Sequence, residues 1–181
     1  MKTLIVAPHP DDELLGCGGT LLRRVSEGNK VAWLLLTIIT KERGWSDQRI
    51  IQRTAEIQQV RHGLGIEPHH LYTLNFPTAE LDQISMSTLV GEISHVFSDF
   101  EPNEVFLPHP CDVHSDHRVA FEAASACTEW FRYPSVKRIM TYETLSETEF
   151  GLNPVLQSFS PNFFVDISEQ LDLKLKLLSI Y

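Results

Sequence analysis

Short apolar runs and helical segments alternate along the whole chain, and this alternation constrains the fold more than any other feature of the sequence. The run Thr3–Ala7 is rich in β-branched residues and stops at Pro8, which is typical of a buried strand. The segment Glu13–Glu27 repeats leucines at helical spacing and is followed by Gly28, a residue type that commonly ends helices. The same reasoning predicts strands at Thr3–Ala7, Val31–Thr37, Leu71–Asn75, Glu104–Leu107, Lys137–Tyr142 and Phe163–Ile167. Helices are predicted at Glu13–Glu27, Asp47–Leu64, Ile84–Phe97 and His117–Trp130, and from Ser168 to the end of the chain.

The alternation of strands and helices predicts an α/β fold with a Rossmann-like, doubly wound and mostly parallel sheet. Right-handed crossovers then place helices on both faces of that sheet. In the expected core order 3-2-1-4-5, strands 1 and 4 are neighbours where the strand order reverses. Ligands of such sheets bind beyond the carboxyl ends of the strands at this point.

Charge and cysteine content limit the partners and the compartment. The formal net charge of -9 argues against nucleic acid as a partner, because a negative chain gains nothing from counterion release. The three cysteines are too scattered for a disulfide framework and fit a reducing compartment. The first apolar run is too short for a signal peptide, and no run is long enough for a transmembrane segment. A cytoplasmic protein is therefore predicted, and a homo-oligomer is compatible with the sequence.

Histidine and aspartate clusters follow the two central predicted strands. Residues 8–13 (PHPDDE) come after strand 1, and residues 108–117 (PHPCDVHSDH) come after strand 4. Neutral imidazoles and carboxylates are the usual ligands of a catalytic zinc ion that keeps one position open. A structural interpretation is also available, because acidic residues in the first turn of a helix are favoured by N-capping and by the helix dipole. One cluster alone would be more typical of capping, whereas two clusters at adjacent strand ends favour a metal site.

The two clusters also carry a family resemblance. Residues 8–13, followed by Gly16 and Gly18-Gly19, resemble the first signature of the LmbE/PIG-L family of zinc-dependent N-acetylglucosaminyl deacetylases, and residues 114–117 (HSDH) resemble the second. Weaker similarities to the family lie at Arg53-Thr54-Ala55-Glu56, Leu64-Gly65, Tyr142-Glu143-Thr144, Phe159-Ser160-Pro161-Asn162 and Asp166-Ile167. The resemblance implies a single deacetylase domain over residues 1–181 that lacks the C-terminal end of the family pattern.

The resemblance implies a role for each residue of the two signatures. One Zn²⁺ ion per chain is expected, and other divalent ions are possible because availability in the cell helps to decide which ion is bound. Asp11 matches the general base, and His114 matches the histidine that stabilises the oxyanion. Asp116 matches the carboxylate that orients His114. The implied zinc ligands are His9, Asp12 and His117. Some members have a tyrosine just before the second signature, whereas this chain has Asp112-Val113 there.

Three further residues are candidates for substrate contacts. Arg53 lies where the resemblance suggests a substrate-binding arginine, and an ion pair with Glu56 is an equally good interpretation. His109 follows strand 4 and is either a substrate contact or an ordinary strand-end histidine. Trp45 lies in the loop after strand 2, where an indole could stack on a sugar ring.

The implied activity is hydrolysis of an N-acetyl group on an amino sugar or its conjugate, a small-molecule substrate. One alternative is a metal-dependent phosphoesterase, which would usually use a second metal ion and more carboxylates. The other is a non-catalytic sugar-binding relative, which would have no need of Asp11. The sequence leaves the identity of the acetylated sugar open.

Overall fold

The computed structural model describes residues 1–151 and 159–181. A parallel sheet of five strands lies at the centre of the fold. The strands lie in the order β3-β2-β1-β4-β5, which confirms the predicted fold class and strand order. Their bounds are β1 (Lys2–Ala7), β2 (Lys30–Ile38), β3 (Leu71–Pro77), β4 (Glu104–Pro108) and β5 (Arg138–Tyr142). Strands β1 and β4 pair directly, with Ile5 opposite Phe106, so their carboxyl ends meet at one edge of the sheet.

Helices cover both faces of this sheet. Their bounds are α1 (Asp12–Ser26), α2 (Asp47–Gly63), α3 (Met86–Phe100), α4 (Ser115–Ser125) and α5 (Leu171–Leu178). Alternate residues of β1 point to opposite faces, as expected for a strand that is buried on both sides. Leu4 and Val6 pack into the core under α3 and α4. Ile5 and Ala7 pack into the second core, under α1, α2 and α5.

Three predicted elements differ from the structure. The segment Phe163–Ile167 is not a strand: Phe163 is exposed, and Ile167 packs on α1, where a Cβ added to Gly19 would meet its Cδ1 at 2.5 Å. The apolar residues of this segment therefore serve side-chain packing on a helix and not pairing in the sheet. The last helix begins at Leu171, because Ser168 instead donates from its backbone and hydroxyl to Asp166. The fourth helix ends at Ser125, well before Trp130.

The lengths and hydropathy of the helices bear on membrane insertion. Within the two described ranges, none of the helices is both long enough and apolar enough to cross a membrane.

Candidate metal centre

The loop after β1 is held by backbone contacts that leave little freedom at its side chains. The Pro8 carbonyl accepts hydrogen bonds from the amide of Thr37, at 3.0 Å, and from its hydroxyl, at 2.8 Å. The His9 amide donates to Oδ2 of Asp12 at 2.8 Å, which closes the turn into α1. The turn therefore brings the His9 and Asp12 side chains together at the carboxyl end of β1.

Asp11 lies between these two residues in an unusual backbone conformation. Its φ is 134° and its ψ is -30°, a region that residues with a Cβ rarely adopt. Its carbonyl accepts from the amides of Leu14 and Leu15, both at 2.9 Å, and so begins the hydrogen bonding of α1. Its amide donates to Oε2 of Glu13 at 3.0 Å. Asp11 is only partly buried, whereas Asp12 is 2% exposed, so the adjacent aspartates occupy different environments.

The second cluster enters the same edge from β4. His114 caps α4, with its Nδ1 accepting from the Asp116 amide at 3.1 Å. His117 lies in the first turn of α4 and is completely buried. The ring centroid of His114 lies 4.4 Å from that of His9, so the structure brings the two clusters together.

Three candidate ligand atoms form an equilateral triangle at this meeting point. Nδ1 of His9 lies 3.3 Å from Oδ2 of Asp12, and Nε2 of His117 lies 3.3 Å from both atoms. Ligands bound at about 2.0–2.1 Å to a tetrahedral zinc ion are separated by roughly 3.3 Å. His9, Asp12 and His117 could therefore hold a divalent ion with little rearrangement.

A second carboxylate backs each of the two histidines on its remaining nitrogen. Oδ2 of Asp116 lies 2.9 Å from Nε2 of His9, and Oδ2 of Asp112 lies 2.8 Å from Nδ1 of His117. Such carboxylates fix the ring orientation and raise the basicity of a metal-binding imidazole. Asp112 was missed by the sequence reasoning, although an acid five residues before a candidate ligand histidine was an available signal.

The Asp116 carboxylate, which the resemblance assigns to the orientation of His114, lies near that residue but forms its hydrogen bonds with other groups. This carboxylate contacts His9, and it also accepts from the amides of Ala79 and Leu81 at 2.7 and 3.0 Å. The hydrogen bond between Asp116 and His114 comes from the backbone amide of Asp116 and not from its side chain. Asp116 is buried under the segment after β3, and this segment supplies the two amides that turn its carboxylate toward His9.

The cluster carries a strong negative field, and this field raises the pKa of both histidines. Burial acts to lower the pKa of His9, but hydrogen bonds to Asp116 and Asp12 raise it to about 9. Burial likewise opposes the charge of His117, while Asp112 and Asp12 raise its pKa to about 10. Burial works against the charge of Asp12 as well, but both histidines lower its pKa. Without an ion, protons therefore supply the positive charge that these carboxylates require.

Asp11 and His114 differ from the ligand cluster in their protonation. Burial, together with the neighbouring charge of Asp12, raises the pKa of Asp11 to about 6. Burial and the charge of His9 lower the pKa of His114. Because Nδ1 of His114 accepts a hydrogen bond, the neutral ring carries its proton on Nε2. The site thus holds one carboxylate that titrates near neutrality and one neutral imidazole donor.

The three candidate substrate contacts lie in different settings. Arg53 forms the alternative ion pair with Glu56 at 3.3 Å, and its Nη1 also donates to the Pro10 carbonyl at 3.4 Å. Both ring nitrogens of His109 are buried, and neither has a hydrogen-bond partner among residues 1–151 and 159–181. Trp45 is 43% exposed in the loop before α2.

The sheet is parallel, and the triangle of His9, Asp12 and His117 lies where its strand order reverses. These features define the protein as an α/β domain with a candidate divalent-metal centre. Residues 4–128 match the PIG-L family, described as GlcNAc-PI de-N-acetylase, and the chain belongs to this family.

Relatives and solved structures agree with this assignment. A diacetylchitobiose deacetylase of Thermococcus kodakarensis is 28% identical over 184 residues, covering 97% of this chain and 67% of the relative. The N,N'-diacetylchitobiose deacetylase of Pyrococcus horikoshii, solved with its inhibitor MPG, has a TM-score of 0.71 at 26% identity, covering 99% of this chain and 68% of that one. The conserved protein TT1542 of Thermus thermophilus has a TM-score of 0.76 at 27% identity, covering 98% of this chain and 77% of that one.

Proposed function

We propose that this protein is a metal-dependent amide hydrolase that removes the N-acetyl group from an amino sugar or its conjugate. The products are acetate and a free amine. The observation that carries the proposal is the 3.3 Å triangle of His9, Asp12 and His117 with Asp11 in the adjoining turn. Membership of a de-N-acetylase family, with a relative that is a diacetylchitobiose deacetylase, supports the choice of substrate class.

His9, Asp12 and His117 would hold the ion, and we name zinc first because two imidazoles and one carboxylate suit it. When bound, such an ion polarises a substrate carbonyl and lowers the pKa of a water molecule. Other divalent ions compete according to their availability in the cell.

Asp11 acts as the general base. Its pKa of about 6 keeps it largely ionised at neutral pH while leaving it basic enough to accept a proton. The water that it deprotonates attacks the acetyl carbonyl carbon, and the C–N bond then breaks. The nitrogen of the leaving group takes the proton that Asp11 removed from the water, so that the product is a free amine and Asp11 is again ionised. A neutral His114 could donate this proton only after first gaining one itself.

His114 stabilises the charge that develops on the carbonyl oxygen. Its Nε2–H is available as a donor because Nδ1 already accepts from the Asp116 amide. A donor that is oriented before the reaction stabilises an oxyanion without reorganisation. The Asp116 carboxylate does not contact the substrate and instead orients the His9 ring through their hydrogen bond.

His109 is proposed as a substrate contact that would require a small local rearrangement, since both of its ring nitrogens are shielded from solvent. Burial of an imidazole whose two nitrogens have no partner among the described residues is costly, and a sugar hydroxyl would satisfy at least one of them. Arg53 and Trp45 are proposed as weaker contacts on the β2 side of the site. We further propose that residues 1–181 fold as one domain and that the protein works in the cytoplasm, where its free cysteines stay reduced.

The test is a screen of N-acetyl sugars with purified protein and added zinc, which measures release of amine and acetate. N,N'-diacetylchitobiose and N-acetylglucosamine conjugates are the first substrates, and a phosphate ester is assayed in parallel. We expect amine release that a chelator abolishes and that added zinc or cobalt restores. Phosphate release without amine release would favour a phosphoesterase. Sugar binding without either product would favour a binding protein.

A further inference from the structure

Glu13 lies directly after Asp12 in the first turn of α1, and its side chain is completely buried. Its two carboxylate oxygens have different partners. Oε2 accepts from the Asp11 amide at 3.0 Å, and Oε1 accepts from the hydroxyl of Tyr181 at 2.9 Å. This Glu13–Tyr181 pair joins the beginning of α1 to the segment that follows α5, beside the candidate metal centre.

The contact to Asp11 matters because of that residue's backbone. A φ of 134° is rarely populated by a residue with a Cβ, and such conformations persist only when the surroundings hold them. The carbonyl side of Asp11 is held by the amides of Leu14 and Leu15. Its amide side is held by Glu13. Loss of the Glu13 acceptor would therefore release the peptide that orients Asp11.

Tyr181 also contacts a residue that binds the segment preceding Asp11. The Arg53 guanidinium lies 5.1 Å from the centre of the Tyr181 ring, within the range of a cation–π contact. Nη1 of Arg53 also donates to the Pro10 carbonyl at 3.4 Å. A closed set of contacts thus runs from Pro10 through Arg53, Tyr181 and Glu13 back to Asp11.

A simpler account treats Glu13 as an acid that complements the helix dipole. An exposed acid serves that purpose without any desolvation cost, whereas Glu13 is buried with both oxygens committed to hydrogen bonds. The helix already begins with Asp12, which is also acidic. The dipole therefore does not account for the burial of Glu13 or for its bond to Tyr181.

We propose that Glu13 and Tyr181 are positioning residues that hold Asp11 where it can accept a proton from the attacking water. This inference rests on the proposed role of Asp11 as the general base. It assigns no contact with substrate or metal to either residue. Its consequence is that changes at Tyr181, which is 168 positions from Glu13 in the sequence, act on kcat through Asp11.

The test compares Glu13→Leu, which removes both acceptor oxygens, and Tyr181→Phe with the unchanged protein, using the zinc-loaded full chain and the best substrate of the screen. Because misplacement of a reacting group by about 1 Å can reduce the rate by about a hundred-fold, we expect kcat to fall by up to that factor in Glu13→Leu, which has no acceptor for the Asp11 amide. Tyr181→Phe should show a smaller fall. KM and zinc content should stay unchanged in both variants. Tyr72→Phe is the matched control, since it removes a hydroxyl bonded to Asp99, outside the site, and should leave kcat unchanged.

An Asp11→Asn background separates positioning from general destabilisation. If Glu13 and Tyr181 act through Asp11, adding Tyr181→Phe to Asp11→Asn should lower kcat no further. A further fall in that background, or a lower melting temperature with unchanged kcat, would overturn the inference. Absence of amine release by the unchanged protein would instead refute the proposed function. Tyr181→Phe removes a single oxygen atom, so the comparison stands even if Glu13→Leu does not fold.

Discussion

Oδ2 of Asp112 lies 2.8 Å from Nδ1 of His117, while Nε2 of the same ring lies 3.3 Å from Oδ2 of Asp12. The imidazole is therefore held between two buried carboxylates. The His9 ring is held in the reverse sense, with Nε2 toward Asp116 and Nδ1 toward Asp12. Each histidine thus has one nitrogen fixed by an outer carboxylate and the other available to an ion.

Asp112→Asn should weaken zinc binding by roughly ten- to a hundred-fold, because the amide removes the charge that supports His117. The metal dissociation constant, measured by competition with a chelator, is the readout. Asp99→Asn is the control, since it changes an exposed aspartate that accepts one hydrogen bond from Tyr72. Equal affinities in the two variants would show that Asp112 does not support the metal centre.

The adjacent aspartates should respond differently to substitution. Asp12→Ala removes a proposed ligand, so metal content and activity should fall together. Asp11→Asn leaves the triangle intact, so metal content should stay near that of the unchanged protein while kcat falls by roughly a hundred- to ten-thousand-fold. Elemental analysis and steady-state kinetics on the same preparations provide the comparison. Loss of metal from Asp11→Asn, with retention in Asp12→Ala, would reverse the two assignments.

Metal binding should release protons. At pH 7 the metal-free protein holds protons on His9 and His117, because carboxylate contacts outweigh burial and raise their pKa values to about 9 and about 10. An ion that takes their place should displace about two protons, and its apparent affinity should rise steeply with pH. Calorimetry in buffers of different ionisation enthalpy measures this number. Release of no protons would contradict the assigned ligands.

The acid limb of the pH–rate profile should belong to Asp11. Burial and the charge of Asp12 raise its pKa to about 6, so kcat/KM should fall as the pH falls through this region and the base becomes protonated. A bound cation favours the carboxylate and shifts the midpoint lower. Asp11→Asn should abolish this limb, and an unchanged limb in that variant would assign it to another group.

His109→Ala should raise KM by roughly two- to ten-fold, as expected for loss of one substrate hydrogen bond, with a smaller effect on kcat. His62→Ala, at an exposed position of α2, is the control for steady-state kinetics with the same substrate. An unchanged KM in His109→Ala would leave this residue with a purely structural role.

The parallel sheet and the meeting of the two clusters could be predicted because both follow from local patterns. Alternating strands and helices indicate a doubly wound parallel sheet, and in the order 3-2-1-4-5 the residues that follow β1 and β4 share an edge. The false strand at Phe163–Ile167 shows the limit of the same pattern. The apolar residues of this segment indicated burial, and Ile167 does pack against α1. Pairing in a sheet also requires a strand edge that is free to form hydrogen bonds, and the periodicity of the sequence does not reveal such an edge.

The second set of carboxylate contacts could not be derived from spacing. The family resemblance assigned Asp116 to the orientation of His114, whereas its carboxylate forms a hydrogen bond with His9, 107 positions away. Tyr181 and Glu13 are further apart still. Such pairs depend on side-chain directions at the ends of packed helices, and neither propensity nor periodicity encodes these directions.

The triangle of candidate ligand atoms also links the metal to the order of folding. His9 and His117 stand 108 positions apart, and they meet only when β1 has paired with β4. Pairings between distant segments form slowly, because the loop between them must first be closed. High-affinity metal uptake therefore requires a completed central sheet, and ligand binding to the native state alone stabilises it by mass action. During refolding, the moment of metal uptake would report when the two halves of the sheet have joined.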